Sequence, residues 1–119
     1  MNAAALVVAL GFAAMGFGAL VRPALIWAPF GVSPTTAESR SEVRAVYGGY
    51  GLAVAALLVL TDDSADLRDG VLVAVAVSLA GMAAGRVASA LVEPRTLLRP
   101  PGFFLVLEAG LAVLTLAAR

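Results

Sequence analysis

Five residues carry the means for chemistry in places where lipid should exclude it. Arg86 and Glu108 each interrupt an apolar run, and Glu42, Arg44 and Tyr47 open another. An ionised side chain near the bilayer centre costs roughly 2.5 to 3.5 kcal/mol on insertion scales, so such residues are expected to pair and to mark function. An arginine beside a carboxylate makes bidentate, charge-assisted hydrogen bonds. Left unpaired, the arginines would hold an anion and the carboxylates would carry a proton.

Little else reactive is available. Cys and His are both absent, which removes disulfides, structural zinc, Cys or His nucleophiles and the usual axial ligands of haem. Asp62, Asp63, Asp66 and Asp69 form an acidic stretch, but it lacks the Asp-x-Asp-x-Asp-Gly order of a calcium loop and reads as a solvated turn. The sequence predicts no metal, no cofactor and no catalytic set.

The elements that must position these residues follow from composition. The 119 residues are 61% apolar and 13% charged, with mean hydropathy +0.98, against roughly 45 to 50% apolar and 25% charged in soluble domains. An all-α integral membrane four-helix bundle is expected, with 1-119 as a single transmembrane domain. Eight arginines balance eight acids; with no basic surplus, a nucleic-acid partner is not expected. The spans fall at about 3-21, 42-60, 71-92 and 103-118, and the other connectors are short. Span one reads as retained rather than as a cleaved leader, because its first arginine, Arg22, follows the apolar run.

Segment 22-41 holds Pro23, Pro29 and Pro34 among Leu25, Ile26, Trp27 and Phe30, too broken to span and too apolar to hang free, so it is expected in the interface. Either Ser33-Pro34 or a Ser39-to-Glu42 capping box could start span two. Arg22, Arg40, Arg44, Arg95 and Arg99 flank the first and third connectors, and only Arg68 and Arg119 belong to the opposite face. The positive-inside rule then puts both termini outside.

Depth can be compared along the helices. Arg86 lies before the end of span three and Glu108 after the start of span four, each about 8 Å inside the same face, so the two can meet. Glu42, Arg44 and Tyr47 enter span two from that face and join the layer. Arg44, Tyr47, Gly48 and Gly51 share one side of span two, while Glu42 points elsewhere. Gly48, Gly49 and Gly51 are costly in a helix unless a neighbouring backbone comes close. Ser78, Gly81, Gly85 and Ser89 make a second small-residue stripe, expected to pack tightly and carry Arg86 inward.

Glu42-Val-Arg44-Ala-Val-Tyr47-Gly48-Gly49, Gly85-Arg86 and Glu108 together resemble the small four-span bacterial membrane proteins of domain-of-unknown-function family 4345, over nearly the whole chain. The resemblance implies a four-helix membrane fold and leaves the activity open; the expected location is the bacterial inner membrane.

Two readings of the charged layer stand side by side. In one, Arg86 and Glu108 fix span register, Glu42 caps a helix and Arg44 snorkels to headgroups. In the other, Arg44, Arg86 and Tyr47 ring a pocket for an anionic or headgroup-like ligand, oriented by Glu42 and Glu108. The leading expectation is a non-catalytic module, an accessory subunit or lipid-binding bundle whose partners are membrane lipids or a larger membrane protein. The alternatives are a homodimeric transporter using Glu108 and, less favoured, a lipid-modifying enzyme.

Overall fold

Asn2 starts the first helix, Ala3–Val21, by accepting the Ala5 N–H on its side-chain oxygen at 2.9 Å. The computed structural model describes residues 1–119. Beyond Arg22 the chain makes a helical turn, Ala24–Trp27, and a 3-10 turn, Ala28–Phe30. These end on Gly31, whose φ of 74° is the left-handed conformation that a side chain disfavours.

The second helix runs Ala37–Leu60 and contains a π-helical stretch, Arg44–Gly49. It begins between the two starts read from the sequence, after Ser33-Pro34 and before the Ser39-to-Glu42 box. Thr36 accepts the Ser39 N–H at 3.0 Å while Ser39 Oγ accepts the Thr36 N–H at 3.1 Å. This is a capping box with serine in the place of the usual Glu or Gln. Glu42 therefore lies inside the helix and caps nothing, and residues 37 to 41 leave the interfacial segment.

The third helix, Ala65–Val92, starts early, so Asp66 and Asp69 stand on its first turns instead of in a connector. Acids there complement the positive end of the helix dipole. The fourth helix, Pro100–Ala117, opens on its two prolines, which a first turn accepts because its N–H groups need no partner. Pro94–Leu98 forms a 3-10 turn before it. Gly102 is required here, since a Cβ at that position would run into the Leu97 carbonyl.

All four helices are long and apolar enough to cross a membrane. The first packs along the second and touches the fourth, and the fourth packs along the third. The lateral order is thus second, first, fourth, third, and the second and third helices lie only loosely together. Cα extents of 41 × 33 × 18 Å describe a curved layer rather than a square bundle. The apolar core gathers Val8, Phe12, Leu58, Leu72, Val75, Leu79 and Ala112 in the half of the molecule nearer the termini. Outward surfaces carry large apolar side chains such as Leu10, Phe17, Leu60 and Val106, as a lipid-facing surface must.

Candidate functional site

In the other half of the molecule, away from that core, the third and fourth helices bring Arg86 and Glu108 together. Arg86 Nε donates to Glu108 Oε2 at 2.8 Å and Nη2 donates to Oε1 at 2.7 Å, so both carboxylate oxygens are engaged. The pair is largely enclosed, with side-chain exposures of 26% for Arg86 and 11% for Glu108. Two aromatic rings complete the enclosure. The guanidinium carbon lies 5.7 Å from the Phe30 ring centre and 5.4 Å from that of Phe104, and the rings are 5.2 Å from each other. Each contact has cation–π geometry, worth about 0.5 to 2 kcal/mol depending on desolvation.

Neither phenylalanine stood out as a site residue in the sequence. Phe104 lies four residues before Glu108 and so shares its side of the helix, a signal that was available. Phe30 arrives from the short 3-10 turn after the first helix, whose path no helical period dictates. Its ring ties that interfacial segment to the charged pair.

The remaining residues of the layer go elsewhere. Arg44 is exposed, and its Nε donates to the Leu20 carbonyl at 3.2 Å. That carbonyl belongs to the last turn of the first helix, where acceptors lack helical partners and the dipole favours a cation. Tyr47 is half-buried. Glu42 is exposed. Arg44 and Arg86 are thus held by different partners, one by a backbone carbonyl and one by a carboxylate, rather than converging on one cavity. The groove between the second and third helices and the groove between the first and second are lined by none of Glu42, Arg44, Tyr47, Arg86 and Glu108.

The glycines divide in the same way. A Cβ on Gly51 would come within 2.8 Å of the Phe12 carbonyl oxygen, and one on Gly16 within 2.7 Å of the Gly48 oxygen. Gly16, Gly48 and Gly51 thus seat the first and second helices backbone to backbone. Gly16 was not singled out in the sequence, although it lies among the small residues of the first apolar run. Gly49 is exposed, and a Cβ there would meet only the Arg44 oxygen at 3.8 Å. Gly81 and Gly85 face open space, so their stripe does not draw Arg86 inward. The fourth helix does so, through Glu108 and Phe104.

The π-helical stretch Arg44–Gly49 covers the Arg-x-x-Tyr-Gly-Gly part of the sequence motif. Such stretches widen the helix at a backbone cost and recur at functional positions. Here it holds Arg44 on Leu20 and Gly48 beside Leu20 in the same turn. At the opposite face, Asp69 takes both Nε and Nη2 of Arg119 at 2.8 Å. Asp62 takes the Met1 amine at 2.7 Å. The Arg119 guanidinium pKa is raised by that hydrogen bonding with Asp69, and the acids there do not converge into a metal-holding group.

Four apolar helices with a buried Arg–Glu pair between two of them define a small multi-pass membrane protein. The chain belongs to the family described as Domain of unknown function (DUF4345), whose family model matches residues 1–118. No match was found among curated proteins or solved structures.

Proposed function

We propose that this protein is a non-catalytic integral membrane module, an accessory or lipid-binding bundle, in which the Arg86–Glu108 pair serves architecture. One observation carries the reading: the only acid deep within the apolar helices has both oxygens taken by a guanidinium that two aromatic rings cover. A carboxylate so engaged is poorly placed to shuttle protons, and no free nucleophile or base accompanies it. Binding is left to the surfaces. Arg44, exposed at the rim with its two terminal nitrogens not used on Leu20, suits a phosphate-bearing headgroup, and the extensive apolar flanks suit lipid chains or a neighbouring helix.

Native mass spectrometry of the tagged protein, extracted from its own host in mild detergent, tests this. The expected spectrum shows retained lipid or a stoichiometric larger protein. A bare homodimer would overturn the reading and bring transport forward, with Glu108→Gln in proton-coupled flux assays as the next measurement.

A further inference from the structure

The loosely packed second and third helices leave between them a groove of about 430 Å³. One wall is built from Asp66, Gly70, Ala74 and Ser78, spaced four residues apart on the third helix, and the other from Tyr50, Val54 and Leu57 on the second. From Asp66 to Ser78 the helix rises about 18 Å. Asp66 stands on the first turn, at headgroup level. The stretch from Gly70 to Ser78 descends about 12 Å into hydrocarbon, most of the roughly 15 Å depth of one leaflet. The trough therefore has the length of a single acyl chain entering from the face of the termini, and below its mouth its lining is apolar except for the Tyr50 phenol and the Ser78 hydroxyl, which donates to the Ala74 carbonyl of its own helix.

The mouth is acidic. Asp69 is occupied by Arg119 and Asp62 by the Met1 amine, whereas Asp66 is exposed and enters no ion pair. A second copy docked about a two-fold axis through this groove would set one Asp66 against the other, and like charges facing across an isologous contact oppose assembly. An anionic headgroup would meet the same repulsion. A primary ammonium group offers three donors to a carboxylate, and a quaternary one offers none.

We infer that this groove binds one phospholipid of the leaflet on the termini side, with an acyl chain between the second and third helices and a primary ammonium headgroup, as in phosphatidylethanolamine, on Asp66. The site rests on the lipid-binding reading above and names its ligand.

The test is native mass spectrometry of the delipidated full chain in mild detergent, titrated with equimolar phosphatidylethanolamine, phosphatidylglycerol and phosphatidylcholine. One phosphatidylethanolamine adduct is expected to dominate. Asp66→Asn, a surface change, should lower its preference over phosphatidylglycerol by about three- to tenfold, as loss of one partly exposed charge-assisted hydrogen bond implies. Ala74→Trp, filling the trough, should remove the adduct, with a thermal melt in the same detergent confirming that the variant is folded. Equal retention of the three lipids by the unaltered protein, or an adduct indifferent to both variants, would overturn the groove site while leaving lipid binding elsewhere intact. A chain that retains none of the three lipids would overturn the groove site and lipid binding together. A dimer that Ala74→Trp dissolves would instead assign the groove to a second copy.

Discussion

At the scale of single residues, the Arg86–Glu108 pair behaves as a unit whose value lies in being complete. Removing one partner leaves a charge enclosed beside Phe30 and Phe104 without compensation, at about 2 to 4 kcal/mol; the low end of the range for buried pairs applies because Arg86 keeps 26% side-chain exposure. Replacing both partners by apolar groups of similar size costs little, often under about 1 kcal/mol. Arg86→Ala and Glu108→Ala are therefore each expected to melt well below the unaltered protein in detergent, and Arg86→Met with Glu108→Leu close to it, the thioether packing between the two rings. Singles as stable as the parent would mean that the pair is not enclosed in the membrane-embedded protein. The encounter of these residues was legible in the sequence, because counting from the helix ends puts both at one depth. Their aromatic cover was half legible: Phe104 follows from its spacing to Glu108, but Phe30 depends on a proline-broken turn.

At the scale of elements, close backbone approach separates the glycines that matter from those that do not. Gly51→Ala pushes a methyl to 2.8 Å from the Phe12 oxygen and 3.0 Å from the Gly16 Cα. Backbone atoms there cannot rotate away, so about 1 to 3 kcal/mol of strain is expected, in the range of overpacked cores. Gly85→Ala meets nothing within 4 Å and gains helix propensity worth about 0.5 to 1 kcal/mol. Melting temperatures should thus fall for Gly51→Ala and hold or rise for Gly85→Ala; the opposite order would show that the open glycine stripe is covered by a partner in the assembled state. Helix starts were less legible than helix identities. Prolines at 100 and 101 read as breakers but sit where a first turn tolerates them, and the Thr36–Ser39 box uses a serine where a longer side chain is usual.

At the scale of the whole molecule, the lateral order of the helices could not be read from the chain, for a physical reason. Each is apolar around most of its circumference, so no stripe tells a core-facing side from a lipid-facing one, and backbone approach at a few glycines decides instead. Charge, by contrast, is sorted along the membrane normal. The face of the first and third connectors carries Arg22, Arg40, Arg44, Arg95 and Arg99 against Glu38, Glu42 and Glu93, while the other carries Asp62, Asp63, Asp66 and Asp69 against Arg68 and Arg119. Positive loops resist translocation and acids contribute little to orientation, so the arginine face is expected in the cytoplasm and the termini outside. The absence of native cysteine makes this directly measurable. Asp63→Cys, on the connector between the second and third helices, should react with a membrane-impermeant maleimide in intact cells. Thr96→Cys, in the turn before the fourth helix, should react only after permeabilisation. The reverse pattern would place the Arg44 rim outside and Asp66 in the cytoplasm, moving the proposed lipid groove to the inner leaflet and withdrawing the anionic cytoplasmic lipids that its arginines would otherwise meet.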